Sequence, residues 1–358
     1  MNSAHKYHIP QTMKAVLLRG RGPENLWVGE IPVPPVGDNQ LLCRVEAAGV
    51  CSSLLKIIEQ GSEHPLLGGW DPARFPIVLG DEGSLTVVRV GKNLRGRFSP
   101  GRLFGLQPAV DLAPLLHRER YHDRASRMHK CAVGYTLGGC LAEYILIQEE
   151  VLEGGCLIPL PNPKPPYFAV ALAEPISCVL SAQKRHTHLV RGTAHNPAVL
   201  LTGLLPGGTT IILGAGIMGR INCELAMRFR PERLFICDPN AERLRKAEQT
   251  LAARARARGI VFQAVHPDAL KGGLDADDII VAVGDNRAQQ QAFGLLGPGG
   301  VINLFGGLSK AERFLQIDSR QVHYEEIKII GSSGGDPSDL AEALGVLAGG
   351  AIDPGNYV

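Results

Sequence analysis

T-T-I-I-L-G-A-G-I-M-G, residues 209–219, decides the fold of this chain. Its first five residues read as a buried strand, and the glycines that follow, Gly214, Gly216 and Gly219, have the G-x-G-x-x-G spacing. Directly after a strand and opening a helix, such a trio forms the turn that cradles the pyrophosphate of a dinucleotide. Gly214 is expected to make the tight turn, Gly216 to let the phosphates approach the backbone, and Gly219 to let the helix lie close on the sheet. Ile217 and Met218 open that helix, whose unpaired amides would hold the phosphate charge.

Downstream, R-L-F-I-C-D reads as a second buried strand ending at Asp238, 19 residues after Gly219. A carboxylate at about this distance binds the adenosine ribose and repels a 2′-phosphate, which favours NAD over NADP. Arg243, five residues on, keeps NADP open. A polar helix at 240–259, strands at 277–284, 300–307 and 326–334, and a helix at 336–350 follow. Continuous apolar strands alternating with helices imply an α/β domain, a parallel sheet covered on both faces.

The first half has a different rhythm. From M-K-A-V-L-L at 13–18 onward, short β-rich runs alternate with Gly/Pro turns, the pattern of an irregular, mostly β domain. P-N-P-K-P-P at 161–166 marks a boundary, and residues 169–185 beyond it read as a helical stretch interrupted near Pro175. The expected organisation is a tail at 1–12, a β domain at 13–170, a dinucleotide domain at 171–345, and a segment at 346–358 that begins a return to the first domain and breaks off.

Composition narrows the function. Lys plus Arg number 37 against 35 Asp plus Glu, a net charge of +2 with no long basic block, so no nucleic-acid partner is expected. No run of about 18 apolar residues is present for a membrane span, and the first residues lack a secretory core, which points to the cytoplasm. The eight cysteines are scattered without a C-x-x-C, as suits reduced thiols.

Hydride transfer from an alcohol carbon needs a group that holds the oxygen and stabilises its growing negative charge, and a metal ion with an open position does this. A-G-V-C-S-S at 48–53, P-I-V-L-G-D-E-G at 76–83, G-G-C-L-A-E-Y at 138–144, A-E-P-I-S-C at 173–178 and G-A-G-I-M-G at 214–219 resemble the zinc-containing medium-chain alcohol and polyol dehydrogenases. V-H-Y at 322–324 and I-G-S-S-G-G at 330–335 look most like the branch around L-sorbose 1-phosphate reductase. The resemblance implies a GroES-like catalytic domain followed by a doubly wound Rossmann domain. It also implies a polyol, ketose or sugar phosphate as the small-molecule substrate, one catalytic zinc, and a homodimer or homotetramer. Carried over by motif, it makes Cys51 a metal ligand, Asp81 a second ligand in the place of a histidine, and Glu174 a third. Glu82 is held in reserve, and Ser53 is the hydroxyl that passes the substrate proton onward.

Two departures go together. The family's acid three residues after the zinc cysteine, which supports the histidine ligand, is here Leu54. Once the ligand is itself a carboxylate, a second carboxylate behind it would only repel it. Three anionic ligands would make the metal a weaker acid, favour more alkaline oxidation or the reductive direction, and admit manganese or iron. The structural zinc common in such proteins is not expected, because residues 115–131 carry only loosely spaced His117, His122, His129 and Cys131, read as a surface loop. Lys56 and Arg74 are candidate anion contacts, and Tyr324 is read as packing beneath the cofactor. The competing readings are a metal-free reductase of quinones or activated alkenes and a catalytically silent dinucleotide-binding protein. An apolar last strand at the sheet edge invites pairing with a second copy.

Overall fold

The computed structural model describes residues 7–110, 131–270, 273–309 and 311–357. It divides into two compact units, one of residues 1–177 and 335–354, the other of residues 178–334 and 355–358.

The first unit is built from antiparallel strands. In one sheet the spatial order is Leu157–Pro159, Leu103–Leu106, Gly83–Val90, Leu41–Ala48 and Tyr144–Ile147. A smaller sheet sets Thr12–Leu18 between Leu26–Pro32 and Ile77–Val78. Leu41, Cys43, Leu85, Val87 and Phe104 fill the core of the larger sheet. Each large apolar side chain so buried contributes about 1.5–3 kcal/mol. Register is what brings the chemistry together. Ala48 pairs with Gly83 at the end of the central strand pair, so the next residue of each strand, Gly49 and Glu82, must also face each other. The Gly49 amide donates to the Glu82 carbonyl at 3.0 Å. Cys51 follows two residues later, just before the helix Ser53–Gln60. A loop folds over the same place, with Leu141 N donating to Leu79 O and Cys140 N to Gly80 O, both at 2.8 Å. Gly134, at φ 82°, could carry no side chain there, since a Cβ would lie 2.7 Å from the Gly80 carbonyl oxygen. That close approach sets Tyr135 beside Asp81.

The second unit holds six parallel strands whose spatial order, counted along the chain, is 3-2-1-4-5-6: Val261–Val265, Arg233–Cys237, Thr209–Leu213, Ala276–Val281, Leu296–Leu304 and Lys328–Gly331. This is the doubly wound dinucleotide fold, and the order reverses beside Thr209–Leu213, where such sheets bind their ligands. Ile211, Leu213, Ile279 and Ile302 pack on one face of the sheet, and Ile212, Leu234, Ile236 and Ile280 on the other.

Several expectations are corrected. The helical stretch breaks at Leu172, between Tyr167–Ala171 and Ala173–Lys184, and Pro175 sits in the first turn of the second helix. Its missing N–H is harmless there. The chain re-enters the first unit at Gly335, not at 346, because Leu344 of the helix Pro337–Ala348 packs against Gly105. Residues 355–357 then lie with the second unit: Arg220 donates to the Asn356 carbonyl at 3.0 Å, and the Tyr357 hydroxyl bonds to Glu224. The edge strand Lys328–Gly331 is only four residues long. Tyr324 is 70% exposed, its ring against His323 and Arg320. Cys131 is a buried core residue, while His117, His122 and His129 lie outside the described residues. Among the described residues no helix is long and apolar enough to cross a membrane.

Candidate active site

Cys51, Asp81 and Glu82 present one thiol and two carboxyl groups whose donor atoms all lie within 4.8 Å of one another. Both acids are buried and Cys51 half-buried. The Ser53 hydroxyl donates to Asp81 Oδ2 at 2.9 Å, and the Tyr135 hydroxyl approaches the same oxygen at 3.3 Å. Asp81 Oδ1 is buried with no hydrogen-bond partner. The Ser53 amide lies 3.5 Å from the Cys51 sulfur. Glu82 fits only because its neighbour is glycine: a Cβ on Gly49 would fall 1.6 Å from Glu82 Oε2.

The electrostatics follow from crowding acids out of water. Burial raises the Cys51 thiol to about 12, with Asp81, Glu82 and Glu174 adding to the effect. Glu82 is pushed up to about 7, first by burial and then by Asp81. Asp81 is also raised by burial, against the opposing pull of its hydrogen bonds from Ser53 and Tyr135. Three groups that each resist ionisation gain most from a positive charge placed among them. The donor set, with its orphaned Asp81 oxygen, is of a kind that fits a divalent cation.

Glu174 stands in the first turn of its helix, half-buried and outside the close trio; its charge is nonetheless felt at Cys51 and Tyr135. Leu54 joins the apolar cluster of Ile57, Trp70 and Tyr135, surroundings in which a charged carboxylate would be costly. Lys56 and Arg74 are exposed, the latter over the Phe75 ring at 5.0 Å. Tyr135 and Gly49 were not singled out by sequence reading. Gly49 lies next to the first motif, but Tyr135 reaches Asp81 only through the loop crossing at Gly134, for which the sequence carries no local signal. His64, also unforeseen, is buried with its ring 5.2 Å from that of Tyr135, and burial with Lys56 nearby lowers its pKa to about 4.

In the second unit the glycine turn has the expected form. Gly214 has φ 104°, Gly216 caps the helix Ile217–Ala226 without a side-chain bond, and a Cβ on Gly219 would lie 1.7 Å from the Gly214 carbonyl oxygen. Ile217 is exposed and Met218 half-buried. Asp238 is buried and already employed. Its Oδ2 accepts from the Ala215 amide at 2.9 Å and its Oδ1 from the Asn240 amide at 2.8 Å, with Arg243 Nη1 at 3.5 Å. It therefore braces the glycine turn, with lone pairs left for a further donor.

A second close trio lies in the same unit, formed by His186, His188 and Asp278. Both imidazoles approach Asp278 Oδ1, at 2.6 and 2.9 Å, and the Leu205 amide donates to Oδ2 at 2.7 Å.

Comparison with known proteins agrees with the two-unit fold. The alcohol dehydrogenase GroES-like domain family matches residues 37–162, and the zinc-binding dehydrogenase family matches residues 218–349. The chain is 29% identical to mannitol-1-phosphate 5-dehydrogenase of Aliivibrio fischeri over 97% of its length and 80% of that protein's. It is 29% identical to L-sorbose 1-phosphate reductase of Klebsiella pneumoniae over 94% of its length and 79% of that protein's. The fold is similar to that of a putative zinc-binding dehydrogenase from Sinorhizobium meliloti 1021 bound to NADP, with a TM-score of 0.73 at 24% identity, covering 96% of this chain and 90% of that one.

Proposed function

From the premise that this chain is an NAD(P)-dependent medium-chain dehydrogenase/reductase, matched at family level to the zinc-type superfamily, we propose that it interconverts a secondary alcohol and a ketone on a polyol, ketose or sugar phosphate. The carrying observation is the close trio of half-buried Cys51 with buried Asp81 and Glu82, one Asp81 oxygen of which has no partner. Sugar-phosphate chemistry is supported by the names of the relatives from A. fischeri and K. pneumoniae.

In this reading Cys51, Asp81 and Glu82 hold a divalent cation, zinc first and manganese or iron as alternatives, with Glu174 close enough to add its charge. When bound, the cation supplies Lewis-acid polarisation of the substrate oxygen, and NAD(P) supplies the hydride acceptor or donor. Ser53 donates its hydroxyl hydrogen to Asp81 and keeps lone pairs with which to accept the hydroxyl hydrogen of the substrate. In oxidation Ser53 would take up the proton of the substrate hydroxyl and pass its own hydrogen to Asp81 Oδ2, the acceptor it already faces. Gly214, Gly216, Ile217, Met218 and Gly219 hold the pyrophosphate. Asp238 braces that turn and meets the adenosine ribose, favouring NAD, with Arg243 beside it to accommodate NADP. The edge strand Lys328–Gly331 would serve a homodimer or homotetramer.

The test is the metal content of protein purified without chelator, followed by turnover of a sugar-phosphate panel with NAD and with NADP. About one metal per chain, together with activity abolished in Cys51→Ala, is the expected outcome. Metal-free protein with chelator-insensitive turnover of quinones or activated alkenes would replace this reading with a metal-free reductase. Nicotinamide binding without any turnover would replace it with a silent binder.

A further inference from the structure

The two oxygens of Asp81 are in opposite conditions. Oδ2 is approached by the hydroxyls of Ser53 at 2.9 Å and Tyr135 at 3.3 Å, while Oδ1 is buried and has no partner. The Tyr135 ring is itself buried, packed among Leu54, Ile57 and Trp70, and the Gly134–Gly80 approach fixes where it stands. A free carboxylate can turn about its terminal bond and exchange its oxygens, since that torsion is soft and two-fold. One held from outside by two donors cannot do so without losing both bonds.

We infer that Tyr135 is a positioning residue: with Ser53 it saturates one oxygen of Asp81, so that the other is left as that residue's single donor to a divalent cation. The inference rests on the proposed reading in which Cys51, Asp81 and Glu82 hold the metal. It also explains what replaces the missing supporting acid. A histidine ligand is oriented by a carboxylate that accepts its N–H, whereas a carboxylate ligand must be oriented by groups that donate. Here two hydroxyls donate, and the position of the old supporting acid, now Leu54, is free to join the apolar packing beneath Tyr135. Hydroxyl donors also leave the charge of the donor set unchanged, where a lysine or arginine in the same place would compete with the cation.

The test uses the full chain, stripped with chelator and titrated with Co(II) alone, read by its visible ligand-field bands, and with Zn(II) in competition with a chromophoric chelator. Tyr135→Phe keeps the ring and its packing and removes only the hydroxyl. It is expected to weaken metal binding about 10- to 100-fold, the usual cost of losing a partner that orients a ligand, and to move the Co(II) bands as Asp81 turns. Ser53→Ala, which removes the other donor without touching the apolar cluster, should move them in the same way and serves as the second variant if Tyr135→Phe folds poorly. Wild-type affinity and an unchanged Co(II) spectrum in either folded variant would overturn the positioning role while the metal reading stands. Wild-type protein that takes up neither ion would overturn both.

Discussion

Asp81 and Asp278 are both buried aspartates, and each belongs to a trio of side chains close enough to hold a cation. Their surroundings are opposite. Burial would raise Asp278, but hydrogen bonds and charge from His186 and His188 outweigh it and hold its pKa below the ordinary value. The contacts it accepts, two from imidazoles and one from the Leu205 amide, occupy both of its oxygens. Around Asp81 the neighbours are further acids, its pKa is raised, and one oxygen is left without a partner. Proximity of donors alone therefore does not identify a metal site. In one trio the carboxylate is satisfied on both oxygens and ties segment 186–205 to the strand Ala276–Val281, leaving only the far His186 nitrogen, Nε2, buried without a partner; in the other the acids repel each other.

The contrast can be broken most directly by deleting each aspartate. Asp278→Ala leaves two buried imidazoles and the part-buried Leu205 amide without an acceptor and should cost about 3–5 kcal/mol of stability, read as a fall in denaturation midpoint, with metal content unchanged. Asp81→Ala should do the reverse. Metal content should vanish and turnover fall at least about 100-fold, while the chelator-treated variant should be as stable as the chelator-treated parent. If Asp278→Ala loses the metal, or Asp81→Ala keeps it, the two trios have been assigned the wrong roles.

A pH titration of stability should separate them next. Glu82 rises from 4.5 to about 7 on folding, so its contribution to stability is fully present below pH 4.5 and is lost as pH rises through about 7. Asp278 is depressed below 3.8, so its contribution is present above pH 3.8 and is lost as pH falls through the folded value. Chelated protein should therefore lose stability at both ends of the range. Added Zn(II) should abolish the loss on the neutral side, where it holds Glu82 as the carboxylate, and leave the acid side as it was. A neutral-side loss that persists unchanged with saturating Zn(II) would count against cation binding at Glu82.

How far the sequence could be read depended on the range of the interactions. The Gly214–Gly219 turn was fully legible because strand, turn and helix are contiguous and each glycine answers a local steric demand. Asp238 was found by its spacing, yet its bonds to the Ala215 and Asn240 amides were not foreseen, since nothing in spacing tells a ribose contact from a brace. The acid trio was legible only through family motifs. Cys51 and Glu82 are brought together by the pairing of Ala48 with Gly83, a register that no local pattern fixes, and the structure favours Glu82 over Glu174 as the neighbour within reach. Tyr135, and the imidazole pair on Asp278, lay beyond reading altogether, because each depends on where two distant segments cross.

Gly49 offers the smallest and sharpest perturbation of the Asp81 trio. A methyl group there would fall 1.6 Å from Glu82 Oε2, the far end of a flexible side chain, and 2.9 Å from Glu82 Cβ, which the backbone holds in place. Turning the carboxylate away relieves the first clash, and the second requires the Gly49–Glu82 pairing to widen slightly, at some cost in stability. Gly49→Ala is then expected to fold with a lowered denaturation midpoint, while Zn(II) affinity falls about 10-fold, the lower end of what disturbing a metal's surroundings costs. Glu174→Gln serves as the control for a carboxylate that acts by charge alone and should weaken binding less. If Gly49→Ala binds Zn(II) as tightly as the parent and Glu174→Gln does not, the third ligand is Glu174, and the trio that the strand register assembles is a neighbour of the metal instead of its holder.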